Sequence, residues 1–561
     1  MVNASEISKS PQRCHRSLCW GTVSCKQSPL PRSITLSEAP IVSESTEPER
    51  SGNFAATISR NIVASLARVF VVSLIALVLP AYLTHHLPVT TYAAWVLILQ
   101  LGAYVSYLDL GIQMGVSKFV AEYTARGDLA GAGRHASAGF ALMLFAGTLG
   151  LACTVVLAWQ VPELFKTMPA NLYHDVRTSV VLVGFSLSFG LVCAVYSAVF
   201  LGLQRYLIPM TISIVNRASF AVVVLAVVAL RGNLTAMGAA VAFVNIVTGL
   251  MQAVAWRKRA SDIHISPRLV DFRVLTKMAR YCSLQSIWTA AMLCVTGLDV
   301  AIVGHFDYVQ TAYYSIATLP TSFALSIIGS MMGPLMPASS AMSTARSASE
   351  MGDLLAKITR YSTLILLLTG LLLMVCGFPI LRVWVGPAYA LHTLKYLRIL
   401  VLANVIRTLC APYATMIAAT GRQGAATAAA ISEAVVNLGS SIYLASRFGA
   451  IGVALGTLLG SFVSVALHFA ITMHFTQQTL EISRSRLFLK GLLQPTITAI
   501  PSLLLLPLWW SRSHVALTPR LAIVWGVSTL ALAWLAVLSR QERNDLLHLS
   551  RSHLKLLLRP N

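Results

Sequence analysis

Between residues 61 and 538 the chain alternates between apolar runs of about twenty residues and short polar connections. A helix rises about 1.5 Å per residue, so about twenty residues cross a hydrocarbon core of about 30 Å. The pattern predicts fourteen such helices, at 61–81, 92–115, 136–160, 177–203, 208–230, 234–256, 281–303, 311–337, 360–381, 396–419, 424–446, 451–473, 488–508 and 520–538. The runs are continuous rather than alternating, which disfavours a transmembrane barrel. Many contain Gly, Ala and Ser, small residues that let helices approach closely in lipid. The expectation is an all-α polytopic membrane protein. Residues 1–60 hold no comparable run and read as a polar tail.

Composition agrees. Of 561 residues 56% are hydrophobic and 11% charged, against about 25% charged in soluble domains. The net charge of +22 raises the question of nucleic acid, and the placement of the charges answers it. Counting Arg177, Arg360, Lys490 and Arg520, in the first turn of a span, with the loop each adjoins, thirty of the 42 Lys+Arg lie in the N-terminal tail, the even-numbered loops and the C-terminal tail, eight lie in the odd-numbered loops, and four others lie within spans. This is a positive-inside bias. It places both termini in the cytoplasm and the protein in the cytoplasmic (inner) membrane, with its basic side toward anionic lipid heads. The basic residues carry no aromatic interleaving, so no nucleic-acid partner is expected. Cys14, Cys19 and Cys25 lack metal-ligand spacing. Cys153, Cys193, Cys282, Cys294, Cys376 and Cys410 fall in apolar runs and read as small buried hydrophobes.

The connection after the sixth span is the longest, and features on its two sides correspond at offsets of 214 to 221 residues. Arg60 matches Arg280, Tyr92 matches Tyr313, Gly202-Leu-Gln204 matches Gly421-Arg-Gln423, and Met237-Gly238 matches Ile451-Gly452. The chain therefore divides into a tail (1–60), a six-helix half (61–256), a linker (257–280), a second parallel six-helix half (281–473) and two additional spans (474–538). A basic amphipathic tail (539–561) follows. Such repeats characterise secondary transporters, with the substrate path between the halves.

Particular stretches resemble a known family. They are Tyr107-Leu-Asp109-Leu-Gly111-Ile112, Lys118-Phe-Val-Ala-Glu122-Tyr-Thr-Ala-Arg126-Gly-Asp128, Leu298-Asp299-Val-Ala-Ile-Val-Gly304, Ala312-Tyr-Tyr-Ser-Ile-Ala317 and Trp384-Val-Gly-Pro387. Over residues 54–475 the sequence is similar to the polysaccharide transporters of the MOP (MATE-like) exporter superfamily, which includes the Wzx-type O-antigen flippases. The resemblance implies a V-shaped bundle that translocates an undecaprenyl-diphosphate-linked oligosaccharide by alternating access for polysaccharide biosynthesis. It implies partnership with lipids and polysaccharide-assembly proteins, no bound cofactor, and possible coupling to H+ or Na+. Fourteen spans also match the lipid II flippases of that superfamily. A cation-coupled multidrug exporter is a further reading within it, and a membrane glycan polymerase or ligase is one outside it. No HExxH, Walker A or GxSxG motif is present, and the outer loops are short, so no enzyme is expected.

Charges inside spans are costly and usually face a cavity or a partner. Arg68 in span one and Asp109 in span two sit at similar depth. They read either as a helix-pairing salt bridge or as an arginine held ready for an anionic substrate. Arg217 in span five and Glu433 in span eleven occupy corresponding positions within a helical turn, which suggests that they face each other across the interface of the halves. Arg407 lies mid-span with no acid in its own span, and a guanidinium suits a diphosphate. Arg68, Arg217, Arg407 and Asn216 are thus the expected substrate contacts, with Asn245 and Asn437 as further hydrogen-bonding groups. Asp109, Glu433 and Asp299 are the expected charge-pair or cation-coupling residues, Asp299 at the outer end of span seven. Arg398 reads as snorkelling outward. The pair His85-His86 reads as interfacial rather than metal-binding.

Overall fold

The computed structural model describes residues 75–345, 347–420, 424–477, 484–505 and 519–544. Among them every element is helical. In chain order they are α1 (75–86), α2 (Val89–Tyr107), α3 (Ile112–Ala125), α4 (Leu129–Leu164), α5 (Tyr173–Gly202), α6 (Leu207–Ala229) and α7 (Leu234–Arg259). After the linker come α8 (Phe272–Met292), α9 (Asp299–Phe306), α10 (Gln310–Ala345), α11 (Ala348–Val385), α12 (Pro387–Thr408), α13 (Ala411–Ala419), α14 (Gly424–Phe448) and α15 (Ala450–Leu467). Two more helical stretches, Arg484–Leu504 and Arg520–Val537, close the described chain.

Twelve helical stretches are long and apolar enough to cross a membrane. They recover twelve of the fourteen expected spans in order. Residues 61–74 of the first expected span lie outside the described residues, as do both tails, including the amphipathic C-terminal segment. The eighth is occupied by α10, a helix of 36 residues. Large apolar side chains point outward along these helices: Trp159 is 77% exposed, Leu230 83% and Val383 87%. In water such a surface would drive aggregation; in a bilayer it is the lipid face. The chain is a multi-pass membrane protein.

A similar packing pattern recurs on the two sides of the linker. In the first half α2 and α4 pack on α5, while α5 and α6 pack on α7. In the second, α10 and α11 pack on α12, while α12 and α14 pack on α15. Small residues bring α14 and α15 together: a Cβ on Gly456 would meet the backbone nitrogen of Ser441 at 2.5 Å. Cysteine burial is mixed. Cys193, Cys282 and Cys410 are buried, but Cys153 is exposed on α4, because its helix turns that position outward among other exposed residues.

Two breaks in regular helix position the polar groups. Residues 108–111 interrupt α2 and α3, with Leu110 at φ 48° and Gly111 at φ 78°. The carbonyls freed there are met from the second half: Ser286 Oγ donates to Leu110 O at 3.2 Å. The second break is the wide turn Leu293–Gly297 between α8 and α9, whose Gly297 carbonyl accepts from Gln100 Nε2 at 2.5 Å.

Candidate functional site

A cavity of about 490 Å³ lies between the halves, lined by Tyr92, Trp95, Gln100 and Arg217 from the first and by Ser315 and Leu319 from the second. It adjoins a second cavity of about 310 Å³ that shares Ser106, Asn216 and Asn245 with it and adds Asp109, Gln113 and Gln252. A polar stripe runs along this wall. Asn216 Nδ2 donates to Thr248 Oγ1 at 2.8 Å and to Asn245 Oδ1 at 3.4 Å. Asn245 in turn donates to Ser186 Oγ at 3.1 Å. The amide chain fixes the side chains of α6 and α7 against α5 and leaves Arg217 exposed beside it. Asp109 sits in the α2–α3 break, half-buried, and accepts the Gln113 backbone N–H at 3.1 Å. Asp109 and Arg217 are the formal charges among the residues lining the two cavities.

A separate polar cluster is buried within the second half. Asp299 is 7% exposed. Its Oδ2 accepts from Tyr314 and from Thr457, each at 3.3 Å. Glu433 lies 4.0 Å from the Arg407 guanidinium, which also donates to Asn404 Oδ1 and acts electrostatically on Asp299. Asn437, one turn after Glu433, donates to the Val295 carbonyl in the wide turn at 3.1 Å. Asp299 Oδ1, Glu433 Oε1 and Arg407 Nη1 are buried with no hydrogen bond among the described residues.

Three expectations change. Glu433 does not face Arg217: it pairs with Arg407, because α14 and α12 both pack on α15 and turn their polar positions toward each other. Arg407 lines neither of the two cavities above; it is the counter-charge of an acidic cluster. Asp299 is not at the end of its span. The helix continues to Phe306, so Asp299 lies about 10 Å inside that end. Arg68 lies outside the described residues. Arg398 is partly buried on α12. His85 and His86 bond through Nδ1 to the carbonyls of Ala81 and Tyr82, at 2.6 and 2.8 Å, which explains them as the end of α1. No cluster of three metal-ligating side chains occurs among the described residues.

At the Tyr92 end the halves are sealed. Tyr92 and its repeat counterpart Tyr313 both set their rings edge-on to Tyr389, with centroids 6.1 and 5.3 Å away. Tyr308 donates to the Thr90 carbonyl at 2.7 Å and His305 Nδ1 meets the Leu164 carbonyl at 2.6 Å. In the sequence Tyr92 and Tyr313 marked only corresponding positions of a repeat; the seal, and the Tyr389 that joins them, carried no signal.

No protein-family model and no curated protein matches the sequence. Solved structures do. An inward-facing multidrug-resistance MATE-family transporter of the MOP superfamily aligns over 72% of this chain and 96% of its own, with TM-score 0.58 and 16% identity. The lipid II flippase MurJ, in an inward closed conformation, aligns over 84% of this chain and 97% of its own, with TM-score 0.61 and 13% identity. A MOP-superfamily transporter from Pyrococcus furiosus, for which a reversed polarity of the binding pocket suggests a different function, aligns over 72% and 94%, with TM-score 0.52 and 16% identity. At these identities the likeness is one of fold, and the fold is that of MOP-superfamily transporters and flippases.

Proposed function

We propose that this protein is a flippase that carries a lipid-linked, diphosphate-bearing oligosaccharide across the cytoplasmic membrane by alternating access. The observation that carries the reading is the cavity between the halves, with Arg217 as its one cation beside the Asn216–Asn245 amide chain. A guanidinium offers paired N–H groups to phosphate oxygens. The amides give hydrogen bonds to hydroxyls, and Tyr92 and Trp95 supply a firm aromatic wall. The sequence resemblance to polysaccharide transporters supports the oligosaccharide class. The isoprenoid chain stays in lipid while the head group crosses, and differential contact with the two states sets their populations.

The acidic cluster takes the coupling role in this reading. Asp299 and Glu433 hold carboxylate oxygens without hydrogen bonds, balanced by one arginine. Uptake of Na+ or H+ there neutralises one acid and changes the packing of α9, α12, α14 and α15. A second reading, a lipid II flippase, is favoured by the MurJ alignment, which covers 84% of the chain; both substrates are diphosphates and use the same arginine.

Reconstitution into liposomes tests the proposal. Purified protein is expected to flip a labelled undecaprenyl-diphosphate oligosaccharide, and Arg217→Ala to slow it by about tenfold or more, the loss of one charge-assisted contact of roughly 1.5–3 kcal/mol. Full activity in Arg217→Ala removes the anion site. Faster transport of lipid II than of the oligosaccharide selects the second reading, and elongation of glycan by the purified protein overturns both.

A further inference from the structure

Away from the cavity, α6 and α7 diverge around a groove of about 580 Å³ walled by Leu207, Ile212, Val247, Leu250 and Met251 and ending at Arg259. Its walls face outward: Leu207 is 47% and Leu250 51% exposed. At the Arg259 end the Arg205 guanidinium, arriving from the loop before α6, donates to the Arg259 carbonyl. Arg205 is thereby held at the C-terminus of α7, beside the Arg259 that ends the apolar groove. Arg257 and Lys258 adjoin them, and none of the four has a carboxylate within 4.0 Å among the described residues. Basic residues in the last turn of a helix are expected from its dipole, and that accounts for 257–259. Arg205 adds a further cation from another element, capping the last carbonyl of α7 from the loop before α6.

We infer that this groove binds one anionic phospholipid, with an acyl chain along the α6–α7 walls and the phosphate between Arg205 and Arg259. The apolar walls decide for a lipid over a free anion, because inorganic phosphate would use the arginines and leave the groove uncovered. The basic mouth decides for an anionic over a zwitterionic head group, since each basic residue near a membrane surface favours anionic lipid. The site also has a consequence for the cavity. The same two helices carry Asn216, Arg217 and Asn245 farther along, so a bound lipid braces the wall on which those residues stand.

Native mass spectrometry of the full chain tests the site, with phosphatidylglycerol and phosphatidylcholine of identical acyl chains as probes. One phosphatidylglycerol is expected to be retained about thirtyfold over phosphatidylcholine, the scale expected of two basic residues at a membrane surface. Arg205→Ala with Arg259→Ala is expected to abolish that preference. Leu250→Trp, which fills the groove at constant charge, is expected to lower retention of both lipids. Arg268→Ala with Arg273→Ala removes the same charge from the exposed linker and is expected to change nothing. An equal loss in the linker variant overturns the inference in favour of diffuse attraction. Unchanged preference in the Arg205/Arg259 variant overturns it outright, and displacement of phosphatidylglycerol by equimolar inorganic phosphate reassigns the arginines to a free anion.

Discussion

At the scale of single residues the chemistry turns on which charges share a pocket. The sequence made Arg217, Arg407, Glu433 and Asp299 conspicuous, since each interrupts an apolar run. It did not reveal their pairing. Partners in a bundle depend on how each helix is rotated about its axis, and a continuous apolar run, buried on one side and lipid-facing on the other, conceals that rotation. The Arg407–Glu433 pair is the clearest instance, with the side chains 18% and 5% exposed. Removing one member of a buried ion pair leaves an uncompensated charge, at a cost of about 3–5 kcal/mol. Arg407→Met and Glu433→Leu are therefore each expected to lower stability by about 3 kcal/mol. Arg407→Met with Glu433→Leu is expected to be more stable than either single variant. A double-mutant cycle on denaturation midpoints in detergent measures this, and strict additivity would show that the two side chains do not interact. The same double variant is expected to lose any acceleration of transport by a Na+ or H+ gradient.

At the scale of elements, helix positions were legible and helix interruptions were not. Length and apolarity mark a span directly, whereas the wide turn at Leu293–Gly297 sits inside a run that reads as unbroken helix. That turn, with the continuation to Phe306, is why Asp299 is buried rather than terminal. The α2–α3 break carried no signal beyond the place of Gly111 in a family motif; in the structure Gly111 closes on Gln285 of α8. A Cβ at Gly111 would lie 2.3 Å from Gln285 Cγ, on a backbone at φ 78°. Left-handed geometry alone costs an L-residue roughly 1–2 kcal/mol. Gly111→Ala is thus expected to lower the thermal midpoint, and adding Gln285→Ala to recover the part due to the clash but not the part due to the backbone. The last described helix is fastened differently. Glu542 lies beyond the membrane-spanning stretch, bonded to Arg360 and Tyr361 of α11, and its Oε2 accepts the Ser539 N–H at 2.8 Å. Burial pushes its carboxyl up, but Tyr361, Ser539 and Arg360 together outweigh that and hold it at about 2. An unfolded Glu titrates near ~4.3. The contact therefore contributes its full stability above about pH 4.5 and loses it as pH falls from there toward 2. Thermal midpoints are expected to differ between the natural chain and Glu542→Gln at pH 6, to differ less at pH 3, and to converge only as pH falls to about 2.

For the whole molecule, correspondence in sequence and contact in space are different things. The sequence pairs Tyr92 with Tyr313 as corresponding positions, and in the structure both rings lie against Tyr389. Which third residue they close upon is a tertiary fact: Tyr389 follows the α11–α12 turn at Gly386 and lies nearly three hundred residues from Tyr92 in the chain. The seal it makes stands over the cavity that holds Ser315 and Arg217. Access from that end consequently requires the three rings to part, along with the Tyr308–Thr90 bond. In a background without other cysteines, Ser315→Cys is expected to react slowly with a membrane-impermeant thiol reagent added from the sealed side. Adding Tyr389→Ala is expected to raise that rate by about tenfold, since deleting a buried aromatic contact worth roughly 1.5 kcal/mol shifts a two-state population by that factor. The side matters as much as the rate. The charge bias assigns the Tyr92 end to the outside, so the acceleration belongs to reagent added outside intact cells. Acceleration seen only from the cytoplasmic side of inverted vesicles would reverse the orientation, and with it the direction in which the cavity must carry its substrate.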